Sequence, residues 1–222
     1  MNKPISGGGR PKAYKLADGT RVPGVTTITG RFKDSGGLIR WAYNCGRDGI
    51  DMDRVRDDAA DTGTIIHAWI DDYIHDRPRS AFPMAPDQSL KQAESALTAF
   101  LDWATQVNLE VLETETPLVS EQYRFGGTFD ALAKVAGRVV LLDWKSSNGV
   151  YPDYIAQVAA YRQLLRERGT LVDGAQLCRF GKEFADFHHH SYPNDVLDIA
   201  WECFELYRRA YDLDSRLKKV AA

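Results

Sequence analysis

Asp130, Asp143 and Lys145 are charged residues set inside stretches that otherwise read as buried strands, "FGGTFDALAKV" and "RVVLLDWKSS". Burying isolated charges is costly unless they meet one another or a metal ion. If Ala136-Gly137 is a two-residue loop, Val135 pairs with Arg138, and the antiparallel ladder carries Asp130 to a place opposite Asp143, with Cβ atoms about 5 Å apart. Alternation along the strand then puts Lys145 on the Asp143 face and turns Leu142 and Trp144 towards the core. Two carboxylates and an ammonium converge. They could form a satisfied ion pair at a sheet edge. They could equally ligate a divalent cation through two carboxylates and the backbone carbonyl of Trp144, with water and substrate in the remaining positions.

Elements on both sides must hold that pair of strands. Asp18-Gly19 reads as the turn of a small hairpin, and Leu38, Ile39, Trp41 and Ala42 as a short helix. Ile66, Trp69, Ile70, Tyr73 and Ile74 recur at helical spacing over Thr64–His75, with Thr62 or Thr64 available as the cap. Pro78, Pro83 and Pro86 mark a loop, after which Leu90, Ala93, Leu97, Phe100, Leu101 and Ala104 define another amphipathic helix. From Asn108 the period changes to alternation: "LEVLETETPLVS" and the two stretches above read as three strands. Pro152 opens a helix that Gly169 stops. A hairpin of "AQLCRFG" and "EFADFHHHSY" follows, then a helix from about Val196 to Leu217. The fold class is α/β, with a mixed central sheet flanked by helices. The expected organisation is a loose Gly-rich tail over 1–12 and a single domain over 13–222, its helical lobe at 13–107 and its strand-rich core at 108–222.

Composition narrows the classes. The 222 residues are 44% hydrophobic, and no apolar run reaches the ~18 residues of a membrane span. With no secretion signal at the start, a cytoplasmic location is expected. Cys45, Cys178 and Cys203 are far apart in no C-x-x-C arrangement, which argues against a disulfide framework and a cysteine-ligated zinc or iron–sulfur site. The net charge of -3 is unevenly spread. Over residues 1–40, Lys3, Arg10, Lys12, Lys15, Arg21, Arg31, Lys33 and Arg40 face only Asp18 and Asp34, whereas acids crowd into 48–76. One surface could therefore track phosphates, with Lys12, Lys15, Arg21, Arg31 and Lys33 as candidate DNA contacts, or the basic segment could be a solvated tail.

"GGTFDALAKV", "VVLLDWKSS" and "YIAQVAAYRQL" together resemble the PD-(D/E)XK nuclease superfamily, and within it the RecB-like exonuclease branch. The resemblance spans about Tyr14 to Leu206. It implies a restriction-endonuclease-like core with a mostly helical N-terminal lobe, and Mg2+ or Mn2+ held by Asp130 and Asp143, with Lys145 serving catalysis. It also implies metal ligation by His67 of a Gly63-x-x-x-His67 motif, and an accessory role for Gln157 and Tyr161 in the branch's Gln-x-x-x-Tyr motif. Phe129 replaces the family's proline. The four-cysteine cluster of some relatives is absent, so no iron–sulfur cluster is implied. From periodicity alone, His67 and Tyr161 read as structural residues of their helices. Glu115, on the strand beside Asp130, could be a supporting acid or a solvated strand residue. His188, His189 and His190 alternate between faces and cannot chelate one ion together.

The resulting expectation is a metal-dependent DNA exonuclease leaving 5′-phosphate and 3′-hydroxyl ends. It would act in recombination, repair or replication, in a bacterial or phage-infected cell, with DNA as partner and a single-strand-binding or annealing protein as a second. The alternatives are an endonuclease of the same fold, a non-catalytic DNA-binding subunit, and a hydrolase of small phosphate esters, which does not account for the basic segment.

Overall fold

The structure, a computed structural model, describes residues 5–6, 11–181 and 187–221, and their side chains except at 5–6 and 54–61. Most of the tail expected over 1–12, and the start of the last expected strand, lie outside those residues; within the tail, Ile5–Ser6 forms β1. Gly19, at φ 83°, closes the hairpin of β2 (Tyr14–Lys15) and β3 (Arg21–Val22). Next comes α1 (Val25–Arg31), a helix the sequence does not announce, since "VTTIT" is rich in β-branched residues. It forms because Val25, Ile28 and Thr29 are buried, the two apolar ones within the cluster that α5 shares, so tertiary packing overrides local propensity.

Helix α2 (Gly36–Arg47) is followed by α3 (Met52–Ile74) and α4 (Asp87–Gln106). Neither Thr62 nor Thr64 caps α3, which begins a full twelve positions earlier than its apolar face indicates. No proline or turn run interrupts residues 52–64, so the backbone continues. Gly63 is tolerated inside this helix for a packing reason: a Cβ there would lie 3.1 Å from Cβ of Ser146. Among the described residues no helix is long and apolar enough to cross a membrane.

The strands are β4 (Glu110–Ser120), β5 (Phe125–Val135), β6 (Arg138–Ser146), β7 (Gly174–Phe180) and β8 (Phe187–Pro193). Between β6 and β7 lies α5 (Pro152–Glu167), and α6 (Asn194–Ala221) is the last described element. The sheet order is β1-β4-β5-β6-β7-β8. The β1/β4 and β6/β7 pairs are parallel and the others antiparallel, so α5 is the crossover that the parallel pair β6/β7 requires. The β5–β6 turn is as expected, with Ala136 at φ 48° and Gly137 at φ 82°, the left-handed pair of a type I′ loop.

Both faces of the sheet are covered. Ile66, Trp69 and Ile70 of α3 and Leu97 and Phe100 of α4 pack with Leu142 and Trp144 on one side. Val25 and Ile28 of α1, Val158 and Tyr161 of α5 and Phe204 of α6 pack with Phe125 and Leu141 on the other. Helices α3 and α4 thus form one layer over the strands, whereas α1 joins α5 and α6 on the opposite face.

Close approaches fix α5 over β5. A Cβ on Gly127 would lie 2.5 Å from Cε1 of Tyr161 and 3.0 Å from Cγ2 of Val25. Gly127→Ala should therefore cost about 1–3 kcal/mol in urea unfolding, because Tyr161 is fully buried and cannot swing away. Gly137→Asn, where a Cβ would meet no neighbour but the backbone is left-handed at φ 82°, should cost about 1 kcal/mol from backbone strain alone. Equal stability of Gly127→Ala and wild type would contradict this packing.

Candidate active site

The expected register holds as far as it is paired. Val135 faces Arg138 and the ladder runs to Ala131 opposite Leu142, one step short of Asp130 and Asp143. There the two strands part. Beyond that point β5 pairs with β4, and through Gly126 with a bridge to Gly24, while β6 continues with β7. At the fork, Asp130 Oδ2 accepts the backbone N–H of Trp144 at 2.8 Å, so a side chain replaces the missing ladder bond. The side-chain phase of β5 also inverts here. Phe125 and Phe129 pack with the α5 layer, whereas Ala131, Ala133 and Val135 pack with the α3 and α4 layer. On β4, Glu115 lies between the residues paired to Phe129 and Ala131 and has φ 42°, a costly left-handed conformation for a glutamate.

Asp143 is 1% exposed. Its Oδ1 accepts from Gln157 Nε2 at 3.1 Å, and its Oδ2 pairs with the Lys145 ammonium but has no conventional hydrogen-bond donor. Burial pushes the Asp143 carboxyl up to about 6, opposed by the Lys145 charge and reinforced by Asp130. For Lys145, burial acts to lower the pKa, and Asp143 and Asp130 more than offset it, so the ammonium is held above its ordinary value. Gln157 Nε2 also donates to the Tyr161 hydroxyl at 3.0 Å. The Gln-x-x-x-Tyr pair thus reaches Asp143: Gln157 bonds one carboxylate oxygen and Tyr161 backs Gln157. Burial and the same two acids push the Cys178 thiol well up, consistent with an inert core cysteine.

His67, on α3, reaches the site from the other layer. It lines a cavity of about 20 Å3, room for about one water-sized sphere, with Asp71, Ile74, Thr114, Glu115, Asp130 and Trp144. Glu115 thus belongs to the wall of this cavity, and Asp71, one turn beyond His67, joins it without having been signalled by any motif. Among the described residues no group of three or more His, Cys, Asp or Glu side chains is placed to hold a metal ion as it stands. Asp143 instead faces Lys145, and Asp130 the Trp144 N–H.

Tyr154 is a second residue that motif reading overlooks, although it lies three positions before Gln157 on the same helix. The Lys145 ammonium stands 5.0 Å from its ring centre, and the Lys33 ammonium 5.1 Å from it. Lys33 also lies 5.4 Å from the Tyr151 ring and pairs with Asp153 at 3.4 Å. Of the five candidate DNA contacts, Lys33 alone is linked to the site by these contacts. Lys15 and Arg21 are exposed on the β2–β3 hairpin, Lys12 is exposed just before it, and Arg31 pairs with Asp214 of α6 at 2.5 Å. Along β8, His189 packs against Trp103 at 5.8 Å between ring centres, whereas His188 and His190 lie together, 6.4 Å apart, so the histidine run is divided between faces.

The elevated Asp143 pKa sets the sign of a pH effect. A carboxyl whose folded-state value exceeds its unfolded value stabilises the fold below the unfolded value, and that contribution is lost as pH rises through about 6. With divalent ions chelated, wild type should lose stability relative to Asp143→Asn between about pH 4 and pH 6, with a constant difference above. Parallel stability profiles for the two proteins, measured by urea unfolding, would contradict the burial described.

A family model of the PD-(D/E)XK nuclease superfamily matches residues 39–200. Curated protein sequences include none that matches. Among solved structures, a candidate exonuclease from Eubacterium rectale is similar at 16% identity and TM-score 0.44, covering 65% of this chain and 64% of its own. The chain thus spans less than two thirds of that protein. LHK-Exo with dAMP bound is similar at 13% identity and TM-score 0.38, covering 74% of this chain and 90% of its own. LHK-Exo described as an alkaline exonuclease from Laribacter hongkongensis is similar at 12% and 0.35, covering 73% and 90%. The mixed sheet with its forked β5–β6 pair is of restriction-endonuclease-like type, and the family match takes in Asp130, Asp143, Lys145 and the Gln157-Tyr161 pair: this chain belongs to the PD-(D/E)XK nuclease superfamily.

Proposed function

We propose that the chain is a deoxyribonuclease that uses a divalent cation and acts on DNA ends as an exonuclease. The observation that supports this best is the buried Asp143–Lys145 pair at the strand fork, beside Asp130 and across from His67. The donors suit a hard divalent cation. Asp143 has a buried oxygen with no hydrogen-bond donor, and the neighbouring cavity is walled by carboxylates and one imidazole. Asp130, Asp143 and His67 would hold Mg2+ or Mn2+, with the Trp144 carbonyl as a further oxygen. When bound, such an ion polarises the scissile phosphate and lowers the pKa of a bound water.

The chain's own residues do the rest. Lys145, held protonated, places a positive charge where negative charge develops on the phosphate. Tyr154 restrains that ammonium from the side, and Gln157 keeps Asp143 from rotating. Glu115 contributes negative potential to the cavity wall. Lys12, Lys15, Arg21, Arg31 and Lys33 offer charges to the DNA backbone, Arg31 and Lys33 from pairs with Asp214 and Asp153.

Incubating the protein with Mg2+ on end-labelled linear single strands, linear duplexes and closed circles tests the reading. Linear DNA should be degraded and circles spared. Cut circles would move the activity to an endonuclease, and no cleavage of any substrate would leave a DNA-binding subunit. In single turnover, Lys145→Ala should lower cleavage by about two to four orders of magnitude with little loss of DNA affinity. Lys145→Arg should not rescue it, because the planar guanidinium cannot replace a compact ammonium wedged against Tyr154. Cleavage at the wild-type rate in Lys145→Ala would contradict the mechanism. Alanine at Lys12, Lys15, Arg21 and Lys33 together should weaken DNA binding and reduce the slope of log affinity against log salt by about three. An unchanged slope would mean a solvated segment.

A further inference from the structure

Helix α6 has two apolar faces, and the fold uses only one. Leu197 and Phe204 are buried, and Ala200, Trp201, Tyr207 and Tyr211 pack around them against the α5 side of the sheet. On the opposite side, Ile199, Cys203, Leu206, Ala210, Leu213, Leu217 and Val220 follow one another at steps that alternate between four and three. That is the seam spacing of a coiled coil, kept without a polar interruption over about 30 Å of helix. The large members are open to solvent: Ile199, Leu206, Leu213, Leu217 and Val220 range from 47% to 85% exposed. A continuous apolar stripe of this length marks an interaction surface rather than scattered surface residues.

We propose that this stripe pairs with the same stripe of a second copy, the two α6 helices running antiparallel about a two-fold axis near Arg208. Side-chain volumes favour that partner and that direction. Antiparallel pairing sets Cys203 opposite Leu213, Ala210 opposite Leu206 and Ile199 opposite Leu217. Each small seam residue then meets a leucine, and the layers fill evenly. Parallel pairing would stack Ala210 on Ala210 and Cys203 on Cys203, leaving voids between layers of paired leucines.

The flanking charges favour the same arrangement. Glu202, Arg209 and Arg216 border the seam, are exposed, and are in no ion pair among the described residues. In the antiparallel dimer Glu202 of each copy comes beside Arg216 of the other, twice over by symmetry, with Arg209 alone meeting its like at the axis. A parallel dimer would offer Arg209 only Asp214, which Arg31 and Lys218 already hold. The contact is closed and self-complementary, so it ends at a dimer. It does not depend on the nuclease reading.

Sedimentation equilibrium of the full chain, from about 1 to 100 µM, tests the proposal across the affinities such a contact would have. Wild type should be dimeric at the upper end, and Leu206→Glu monomeric with an unchanged circular dichroism spectrum and, at concentrations low enough for wild type to be monomeric too, the same melting temperature, since Leu206 is mostly exposed in the monomer. Glu202→Arg and Arg216→Glu should each weaken the dimer several-fold, and the double variant should restore it. For direction, Leu213→Cys should oxidise to a cross-linked dimer through native Cys203, whereas wild type should not cross-link through Cys203 alone. A wild-type monomer throughout would leave the face to some other occupant and overturn the proposal. A dimer that survives Leu206→Glu, or ready Cys203–Cys203 cross-linking, would overturn it equally.

Discussion

A carboxylate with almost no access to water, Asp143, sets the terms for everything around it. Leaving it uncompensated would cost several kcal/mol, so the surrounding elements are those that supply compensation. Lys145 follows two residues later on the same face, Gln157 comes from the crossover helix that the parallel β6/β7 pair requires, and Tyr161 backs Gln157. Gly127 has no side chain because Tyr161 must approach β5 closely. Compensation stops short of completeness, since Asp143 keeps one oxygen with no partner besides the ammonium. An unsatisfied buried oxygen is costly to keep, and the superfamily to which the chain belongs generally uses divalent ions.

The fork between β5 and β6 is the second constraint. A ladder continued past Ala131 and Leu142 would have consumed the Trp144 N–H and pressed two carboxylates together on a closed sheet. Parting the strands lets Asp130 take that N–H and face the cavity shared with His67 and Glu115. The left-handed Glu115 and the change of side-chain phase in β5 are the local consequences of opening the sheet at this point. Strain at the position where a site is built fits a function that needs carboxylates turned away from their regular strand directions.

Much of this was legible in the sequence because it rests on short-range rules. Ala136-Gly137 set the hairpin register, alternation put Lys145 with Asp143, and helical spacing brought Gln157 and Tyr161 to one face. What remained hidden depends on contacts between distant residues. Helix α1 exists through tertiary burial of β-branched side chains, and α3 extends well before its apolar face because nothing breaks it. The inversion at Asp130 defeats any period-two reading. Like-charge repulsion between Asp130 and Asp143 pointed to a cation, and the fold offers each acid a donor of its own besides. Tyr154, held between the Lys33 and Lys145 ammoniums, lacks a motif of its own and becomes visible only when α5 lies against the sheet. The second stripe of α6 is plain in the sequence, yet its availability appears only once the other stripe is seen to hold the core.

The most direct test of the central claim is an NMR titration of the Asp143 side-chain carboxyl carbon, with divalent ions chelated, in wild type and in Lys145→Ala. The midpoint should lie near 6 in wild type, because burial outweighs the adjacent ammonium, and higher once that ammonium is removed. A midpoint near 4 in wild type, or one that does not move in Lys145→Ala, would contradict this: Asp143 would then be solvated, and Lys145 would not be the charge that allows it to be buried.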